Sequence, residues 1–339
     1  MIAEARKKHL QTLILVIAGF IILQTIMALS RERSFQYYTR IYLLVEINII
    51  LTASLSLING YTGQFSLGHA GFMAVGAYSS VIITTLLPRI ITGHALSVGT
   101  VAGHVLFIFA VLAGGTVAGL FGFIIGFPSL RLKGDYLAIV TLAAGEVIRA
   151  LLRFSDFLGG PRGIPGIPKF TGFIYMGIFF FGSMWIMRNV VFSQFCRSWV
   201  AVRDNEIAAA SVGINTTFQK VSAFMLGAFF AGIAGALFAH ASHYINPDNF
   251  GFLKTLDILI FLYVGGAHTL GGSIVGAGLF TLVPEGLRAI NIESWRMVMY
   301  PLVLIIIMRF RMNGIMGDRE FTFLKPWKYK EMIIKRGKA

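Results

Sequence analysis

Polar and ionisable side chains inside long apolar runs are the first candidates for chemistry in this sequence. Such groups are costly within a membrane, and those that persist there often line a path for a polar solute or an ion. Glu146 has a local partner, because Arg149 lies three residues later on a predicted helix, so neutralisation within the chain is an alternative interpretation of it. For Glu46 and Asp257 a water-filled cavity is the favoured interpretation. The candidates for a translocation path are Glu46, Asn48, Gln64, Ser66, His69, Glu146 and Asp257.

Three of these candidates lie in the stretch NGYTGQFSLGHAG, residues 59–71. Its glycines permit the backbone to depart from a helix. The end of a half-helix there could face a zwitterionic solute, as in the broken helices of transporters. The alternative is a tightly packed hairpin that touches no solute, and the sequence leaves both interpretations open.

A short charged segment, AVRDNEIAAASVGINTTFQK at residues 201–220, stands between two long apolar runs. Asp204 or Asn205 can cap the start of a helix, EIAAAS contains good helix formers, and Gly213 suits the left-handed position after a helix end. The predicted helix is marginal by itself, since about 12 to 15 residues are needed in water. It must be held by the rest of the chain or by a partner. An ordinary connecting helix at the membrane interface is the alternative.

Several classes of chemistry are not indicated by the sequence. The stretch GGAHTLGGS lacks the Lys-Ser/Thr pair of a phosphate-binding loop, so the energy source for any active process must lie on another chain. The single cysteine, Cys196, offers neither a disulfide framework nor a metal cluster. The formal net charge of +14 comes without a basic stripe interleaved with aromatic residues, which argues against a nucleic-acid partner. We therefore expect a chain that is not an enzyme and has no resident metal or cofactor.

The composition predicts an all-α, polytopic transmembrane helical bundle with lipid around it. Of the 339 residues, 56% are hydrophobic and 13% are charged, and the mean hydropathy is +0.76. Segments of about 20 apolar residues cross a bilayer core as helices. About ten such spans are predicted, at residues 10–29, 41–60, 65–87, 104–127, 136–152, 171–187, 221–240, 252–271, 273–290 and 297–310.

Small residues four positions apart on these predicted helices favour close approach of helix backbones. Within a membrane the hydrophobic effect contributes little to helix association, so such contacts matter. They predict packing more than contact with a solute. The pairs are Ala70 with Ala74, Gly115 with Gly119, Gly122 with Gly126, Ala231 with Gly235, and Gly272 with Gly276.

The distribution of cations predicts which loops face the cytoplasm. Ten alternating spans with a cytoplasmic amino terminus put the larger part of the 29 Lys and Arg residues inside, together with both termini. The charged segment then belongs to a cytoplasmic loop at residues 188–220, and residues 311–339 form a basic cytoplasmic tail. The first apolar run has features of a cleavable signal, but its core exceeds the about 7 to 15 residues typical of one, so a retained span is preferred.

Several motifs resemble one known family. IAAASVG, from Ile207 to Gly213, is similar to the cytoplasmic Glu-Ala-Ala…Gly motif of ABC importer permeases, although Ile207 stands where that motif has Glu and Glu206 comes one residue early. The stretches GYTGQFSLGHAGFMAVGAYSS, RLKGDYLAIVTLAAGEVIR, GAFFAGIAGALFAH and VGGAHTLGGSIVGAGLF closely resemble LivM-type permeases of branched-chain amino-acid ABC importers. The resemblance covers residues 48–310, whereas the first apolar run and the tail match no motif of that family.

The predicted spans and the resemblance together predict a transmembrane permease domain at residues 1–310 in a bacterial inner membrane. It implies a heterodimer with a LivH-type permease, two ATPase subunits that dock on the cytoplasmic loop, and an extracytoplasmic binding protein that delivers leucine, isoleucine or valine. Permeases for urea or simple sugars are a related alternative, and an ion-coupled secondary carrier is the alternative from another class of transporter. The coupling helix would use Asp204, Glu206, Ala208, Ala209, Ala210 and Gly213 for docking.

Overall fold

The computed structural model describes residues 33–88, 100–129, 134–289, 296–311, 313–317, 319–321 and 323–325. These residues form an all-α bundle, as the composition predicts. Its eleven α-helices are α1 Arg33–Leu55, α2 His69–Val81, α3 Val101–Ser129, α4 Asp135–Phe154, α5 Phe173–Val191, α6 Gln194–Asp204, α7 Glu206–Ser211, α8 Thr216–Ser242, α9 Phe252–Gly265, α10 Leu270–Ala289 and α11 Arg296–Phe310.

Two of the apolar helices end in π-helical turns. The π-helix is a rare form, and where it occurs it is often found at functional sites. α1 continues into a π-helix at Ser56–Tyr61, and α2 continues into one at Ile82–Leu86. After Tyr61 the chain is irregular up to Gly68, and Gly63 has a φ of 66°. We refer to residues 56–68 as the helix break. The glycines of this stretch therefore coincide with a real departure from regular helix.

Glycines bring helix backbones into contact in the middle of the bundle. α8 packs against α2 and α3, and a Cβ added to Gly76 on α2 would lie 2.2 Å from the Cα of Gly232 on α8. α9 and α10 meet in the same way, because a Cβ on Gly276 would lie 2.0 Å from the carbonyl oxygen of Phe261. The predicted close packing of small residues is confirmed at Gly276, and the contact of Gly76 with Gly232 extends it.

Contacts between loops define the two ends of the bundle. At one end, strand β1 Ile164–Pro165 pairs antiparallel with strand β2 Tyr244–Ile245, and Ile164 lies opposite Ile245. We refer to this as the strand end. At the other end, which we refer to as the break end, the helix break meets α6 and the turn between α9 and α10. Both ends are built from segments that are far apart in the sequence.

Five described helical segments are long and apolar enough to cross a membrane, at residues 37–61, 69–86, 101–129, 173–191 and 216–242. Each overlaps a predicted span. The predicted span at residues 252–271 is too long at its carboxyl end, because α9 ends at Gly265 and α10 begins only at Leu270. The chain leaves the helix at Gly266, where φ is 124°. The predicted span at residues 10–29 lies outside the described residues.

Candidate functional site

The charged segment folds as two short helices, α6 and α7, at the break end. Asn205 separates them, and its Oδ1 accepts hydrogen bonds from the main-chain N–H groups of Ile207 and Ala208 at 3.1 and 3.0 Å. Asn205 is therefore the cap of α7. Asp204 is instead the last residue of α6 and forms an ion pair with Arg203. We refer to residues 194–213 as the docking loop, because they include the residues predicted to dock an ATPase.

One face of α7 is held by the protein itself. Ala209 is 3% exposed, and Lys220 Nζ donates a hydrogen bond to Glu206 Oε1 at 2.7 Å, which ties α7 to the first turns of α8. These contacts explain how so short a helix is stable. Of the six residues predicted to dock an ATPase, Ala209 therefore faces the interior of this chain and not the outer surface.

Apolar side chains are exposed at the surface on the outer side of α7 and directly after its last residue. Ile207 is 79% exposed and Val212 is 75% exposed. Gly213 follows with a φ of 88°, which confirms the left-handed conformation predicted for it. Exposed apolar side chains grouped on a charged loop are typical of a surface that another protein covers. The predicted docking residues on this exposed side are Asp204, Ala208, Ala210 and Gly213, with Glu206 at its edge.

The helix break encloses polar side chains that are buried without hydrogen-bond partners. Ser66 and His69 are fully buried, and Gln64 is 5% exposed. Among the described residues there is no partner for either polar atom of the Gln64 amide, for the Ser66 hydroxyl or for His69 Nδ1. A buried polar group that is left unpaired costs about 1–3 kcal/mol. Several such groups in one short segment indicate a place where water or a polar solute is accommodated.

Neighbouring helices tie the helix break on two sides. The hydroxyl of Ser54 on α1 and Nε2 of His69 on α2 share a hydrogen bond at 2.7 Å. The main-chain N–H of Leu67 donates to Thr141 Oγ1 on α4 at 3.0 Å. Three helices, α1, α2 and α4, are therefore joined at this segment, and its rearrangement would move all three.

A second polar group joins α1 to α9 and α10. Asn48 Nδ2 donates to Thr281 Oγ1 at 2.9 Å, and Lys254 Nζ donates to Asn48 Oδ1 at 2.9 Å. Glu46 lies on the same helix as Asn48 and is 1% exposed, and Asp257 lies one turn after Lys254 on α9. Sequence reasoning missed Lys254, because a lysine near the end of an apolar run ordinarily reaches water without a partner.

The predicted pair of Glu146 and Arg149 is present and belongs to a larger network at the strand end. Arg149 Nη2 lies 2.6 Å from Glu146 Oε2. Arg149 Nη1 also lies 3.6 Å from Asp248 Oδ1, and Arg153 donates to the same carboxylate. Two cations thus balance two anions and join α4 to the turn that precedes α9. This geometry favours neutralisation as the role of Glu146.

The predicted path residues do not form a single site. Asn48 lies about 16 Å along its helical segment from Asn59, which belongs to the helix break, at roughly 1.5 Å per residue. The residues fall into three groups: Glu46, Asn48 and Asp257 on α1 and α9; Gln64, Ser66 and His69 at the helix break; and Glu146 on α4.

The tail contributes a contact that sequence reasoning missed. Glu320 accepts hydrogen bonds at the amino end of α10 from the N–H groups of Leu270 and Gly271, at 2.9 and 2.8 Å. The N–H of Ile315 donates to the carbonyl oxygen of Val264 at 2.8 Å. Burial raises the pKa of the Glu320 carboxyl, and the N–H donors oppose that rise. The described part of the tail is therefore bound to the bundle at the break end.

Cys196 lies inside the docking loop. It is 3% exposed, and burial raises the pKa of its thiol to about 12, against a smaller lowering by Arg203. The thiol is therefore protonated at neutral pH, which makes it a poor nucleophile. Over the described residues, no group of three or more His, Cys, Asp or Glu is arranged to hold a metal ion.

Comparison with known proteins decides the family. The sequence profile of the family described as branched-chain amino acid transport system / permease component matches residues 37–308. This chain belongs to that family. The permease is 30% identical, over 328 residues, to the high-affinity branched-chain amino acid transport system permease protein LivM of Salmonella typhimurium strain LT2. The aligned region covers 86% of this chain and 71% of the relative.

Other relatives agree with this placement. The permease is 30% identical to LivM of Escherichia coli strain K12, over 80% of this chain and 68% of the relative. It is 26% identical to the L-arabinose ABC transporter permease protein AraH of Azospirillum brasilense, over 66% of this chain and 65% of the relative. No solved structure matches the permease. The resemblance drawn from the sequence motifs is confirmed, and the permease is a multi-pass membrane protein.

Proposed function

We propose that the permease forms the translocation path of an ATP-driven importer for branched-chain amino acids, together with a second, LivH-type permease. The proposal is supported by family membership and by higher identity to the LivM relatives than to the L-arabinose permease. A binding protein would deliver leucine, isoleucine or valine at the strand end. Two ATPase subunits would act at the break end. The assembly would lie in the bacterial inner membrane.

The proposed topology has ten spans with both termini in the cytoplasm. Alternating spans require the helix break, the docking loop and the start of α10 to share one side of the membrane. The hydrogen bonds of Arg203 support this arrangement, because they join the docking loop to Gly60 of the helix break and to His268 just before α10. The break end would then be cytoplasmic and the strand end extracytoplasmic.

The exposed apolar face of α7 is the observation that carries the proposal of ATPase docking. Ile207 and Val212 stand out from the loop, while Gly213 turns the chain back toward α8. A groove on an ATPase could seat this face, because the alanines between the two larger side chains allow close approach. The proposed docking residues are Asp204, Glu206, Ala208, Ala210 and Gly213, with Ala209 supporting them from beneath.

Replacement of Ala210 by Arg tests the docking surface. Arg has a helix propensity close to that of Ala, so α7 should persist while its outer face gains a long charged side chain. We expect Ala210→Arg to reach the membrane at a normal level, to lose the ATPase subunits during purification and to lose uptake. Gln194→Arg, at an exposed position at the other end of the loop, is the control and should retain both. If Ala210→Arg also retains both, α7 is only a connector.

Reconstitution distinguishes ATP-driven import from an ion-coupled carrier. The permease alone in vesicles should neither hydrolyse ATP nor concentrate leucine, because the sequence contains no nucleotide-binding loop. Addition of the second permease, the ATPases and the binding protein should restore leucine-stimulated hydrolysis. Concentrative uptake by the permease alone under a proton or sodium gradient would establish the carrier instead.

The path is proposed to pass the helix break, where polar groups are buried without partners. Ser66 and Ser80 form a matched pair, since both are fully buried. Ser80 Oγ donates to the carbonyl oxygen of Ala77 at 2.8 Å, whereas Ser66 Oγ has no partner in the described residues. If the Ser66 hydroxyl contacts a solute or its water, Ser66→Ala should lower uptake severalfold and Ser80→Ala should not. Equal uptake by the two variants would remove Ser66 from the path.

The remaining candidates are assigned to the same path with different roles. Glu46, Asn48 and Asp257 would line it further along α1 and α9. Glu146 would chiefly neutralise Arg149, from which it is 2.6 Å away. Glu46→Gln should therefore lower leucine uptake more than Glu146→Gln does, because only the first removes a charge from the path itself. Uptake of leucine at several concentrations measures the difference.

A further inference from the structure

Arg203, in the last turn of α6, joins the docking loop to the helix break. Its Nη1 donates a hydrogen bond to the carbonyl oxygen of Gly60 at 3.2 Å, and its Nε donates to Asp204 Oδ1 at 3.0 Å. The stem of the side chain packs on Gly63, where an added Cβ would lie 2.6 Å from Arg203 Cγ. Gly63 also has a left-handed backbone, with a φ of 66°, which favours glycine. The break is therefore shaped to receive this side chain.

The same guanidinium reaches the turn between α9 and α10. Arg203 Nη1 lies 3.1 Å from His268 Nδ1, which itself lies 3.1 Å from the carbonyl oxygen of Gly60. The Nδ1 atom of a neutral imidazole either donates or accepts, so His268 can bond Gly60 or Arg203 but not both. The guanidinium donates in either case. Arg203 is thus the constant partner in this group of three residues.

The Gly60 carbonyl is a sensitive point of the structure. It lies at the end of the π-helix Ser56–Tyr61, and the last carbonyl groups of a helix have no partner within it. The turn before α10 is packed directly on it, since a Cβ on Gly60 would lie 1.8 Å from the carbonyl oxygen of Ala267. The Arg203 side chain is only 26% exposed, so its hydrogen bonds are less weakened by water than those of a fully exposed cation.

We propose that Arg203 is the positioning residue through which movement of the docking loop reaches the helix break. The inference rests on the proposed function. Arg203 is two residues from Asn205, the cap of α7, so an ATPase that displaces α7 also displaces the guanidinium. Its withdrawal releases the Gly60 carbonyl and the turn before α10 together. The buried polar groups that follow Gly60, at Gln64 and Ser66, are then free to rearrange around the solute.

The first test measures uptake per ATP hydrolysed by the complete complex in vesicles. With Arg203→Gln we expect the ATPases to co-purify normally and the uptake per ATP to fall by roughly tenfold or more. Loss of one hydrogen bond made by a charged group typically changes an equilibrium constant by about that factor. Arg203→Lys should recover part of the ratio, because it keeps the charge but lacks the planar fork of donors. Arg197→Gln is the matched control, since it removes the same charge from an exposed position of α6 and should keep the ratio of the unsubstituted complex.

The second test needs no ATPase. In the isolated permease, with Cys196 replaced by Ser, a cysteine at Gln64 reports on the helix break because this position is 5% exposed. Arg203→Gln should raise its rate of reaction with a maleimide severalfold, and Arg197→Gln should leave the rate unchanged. A rise caused only by loss of a positive charge from α6 would appear in both variants.

The outcomes separate the inference from the proposed function. Unchanged uptake per ATP in Arg203→Gln complexes overturns the role of Arg203 even if the yield falls, because a purely structural role lowers the amount of complex but not the ratio. If the Arg203→Gln complex does not assemble, two other results together overturn the role of Arg203. They are an unchanged uptake per ATP in Arg203→Lys complexes and an unchanged labelling rate in the isolated Arg203→Gln chain. Failure of the proposed function is seen separately, as absence of ATPase binding by the unsubstituted permease.

Discussion

Glu320 in the tail accepts a hydrogen bond from the main-chain N–H of Gly271 at 2.8 Å, across 49 positions of the sequence. Any side chain at position 271 would displace the carboxylate, since an added Cβ would lie 2.7 Å from Glu320 Oε1. The carboxylate occupies the amino end of α10, where unpaired N–H groups and the helix dipole favour an anion. The start of α10 is thus held by the tail on one side, while His268, just before it, contacts Arg203 of the docking loop.

Loss of this contact should destabilise the break end. Glu320→Ala leaves the N–H groups of Leu270 and Gly271 without their acceptor, so we expect the free energy of unfolding to fall by about 1–3 kcal/mol. A lower apparent melting temperature of the purified permease in detergent would show this. Arg319→Ala, at the exposed neighbouring position, is the control and should have little effect. Equal melting temperatures for the two variants would contradict the prediction.

The attachment of the tail should depend on pH. Burial raises the pKa of Glu320 above its ordinary value of 4.5, so the folded state binds the proton more tightly than the unfolded state does. The stabilisation that comes from this proton is full below the ordinary pKa and is lost as the pH rises through the raised pKa. The mobility of a nitroxide at Lys325→Cys, with Cys196 replaced by Ser, should therefore increase with pH. Glu320→Gln should abolish this dependence, and tighter attachment at higher pH would refute the argument.

Cys196 should resist thiol reagents while the docking loop is folded. The residue is 3% exposed, and burial raises the pKa of its thiol to about 12, so the reactive thiolate is scarce at pH 7.5. We expect a maleimide to label the native permease very slowly and to label it rapidly after denaturation in SDS. A cysteine at the exposed position Ser211, with Cys196 replaced by Ser, is the comparison and should react quickly. Rapid labelling of native Cys196 would mean that α6 is not packed as described.

Close approach of α2 and α8 should be intolerant of even one methyl group. Gly76→Ala places a Cβ 2.2 Å from the Cα of Gly232, so the helices must separate, which typically costs about 1–3 kcal/mol. Gly182→Ala on α5 meets no atom within 4 Å and is the matched control. We expect lower membrane yield and a lower melting temperature only for Gly76→Ala. Similar behaviour of the two variants would show that the backbones are not in contact.

Cysteine labelling in intact cells tests the proposed sidedness. With Cys196 replaced by Ser, a cysteine at the exposed Lys169 near the strand end should react with an impermeant maleimide. A cysteine at the exposed Ser211 should react only after the cells are permeabilised. Gly163, in the same loop as Lys169, is unsuitable, because a Cβ there would lie 2.1 Å from the carbonyl oxygen of Ile245. Labelling of Ser211→Cys from outside would reverse the orientation.

Local features of the sequence were sufficient for much of the fold. The all-α class, the apolar helices, the left-handed Gly213 and the close packing at Gly276 depend on residue type and on neighbours within a few positions. Helix propensity and the absence of a side chain act within about one turn of the chain, and apolar length is a property of one continuous segment. For the same reason the sequence reduced the cap of α7 to Asp204 or Asn205 and could not choose between them.

Only the tertiary structure decided which distant residues meet. It joined Arg203 to the carbonyl oxygen of Gly60, and it turned Ala209 toward the interior. It also brought Glu320 to Gly271, a hydrogen bond that no spacing in the sequence indicates. Such contacts depend on how helices pack, and packing follows the summed shape of many side chains and backbones. Composition and periodicity record that each helix has an apolar surface, but not which other segment covers it.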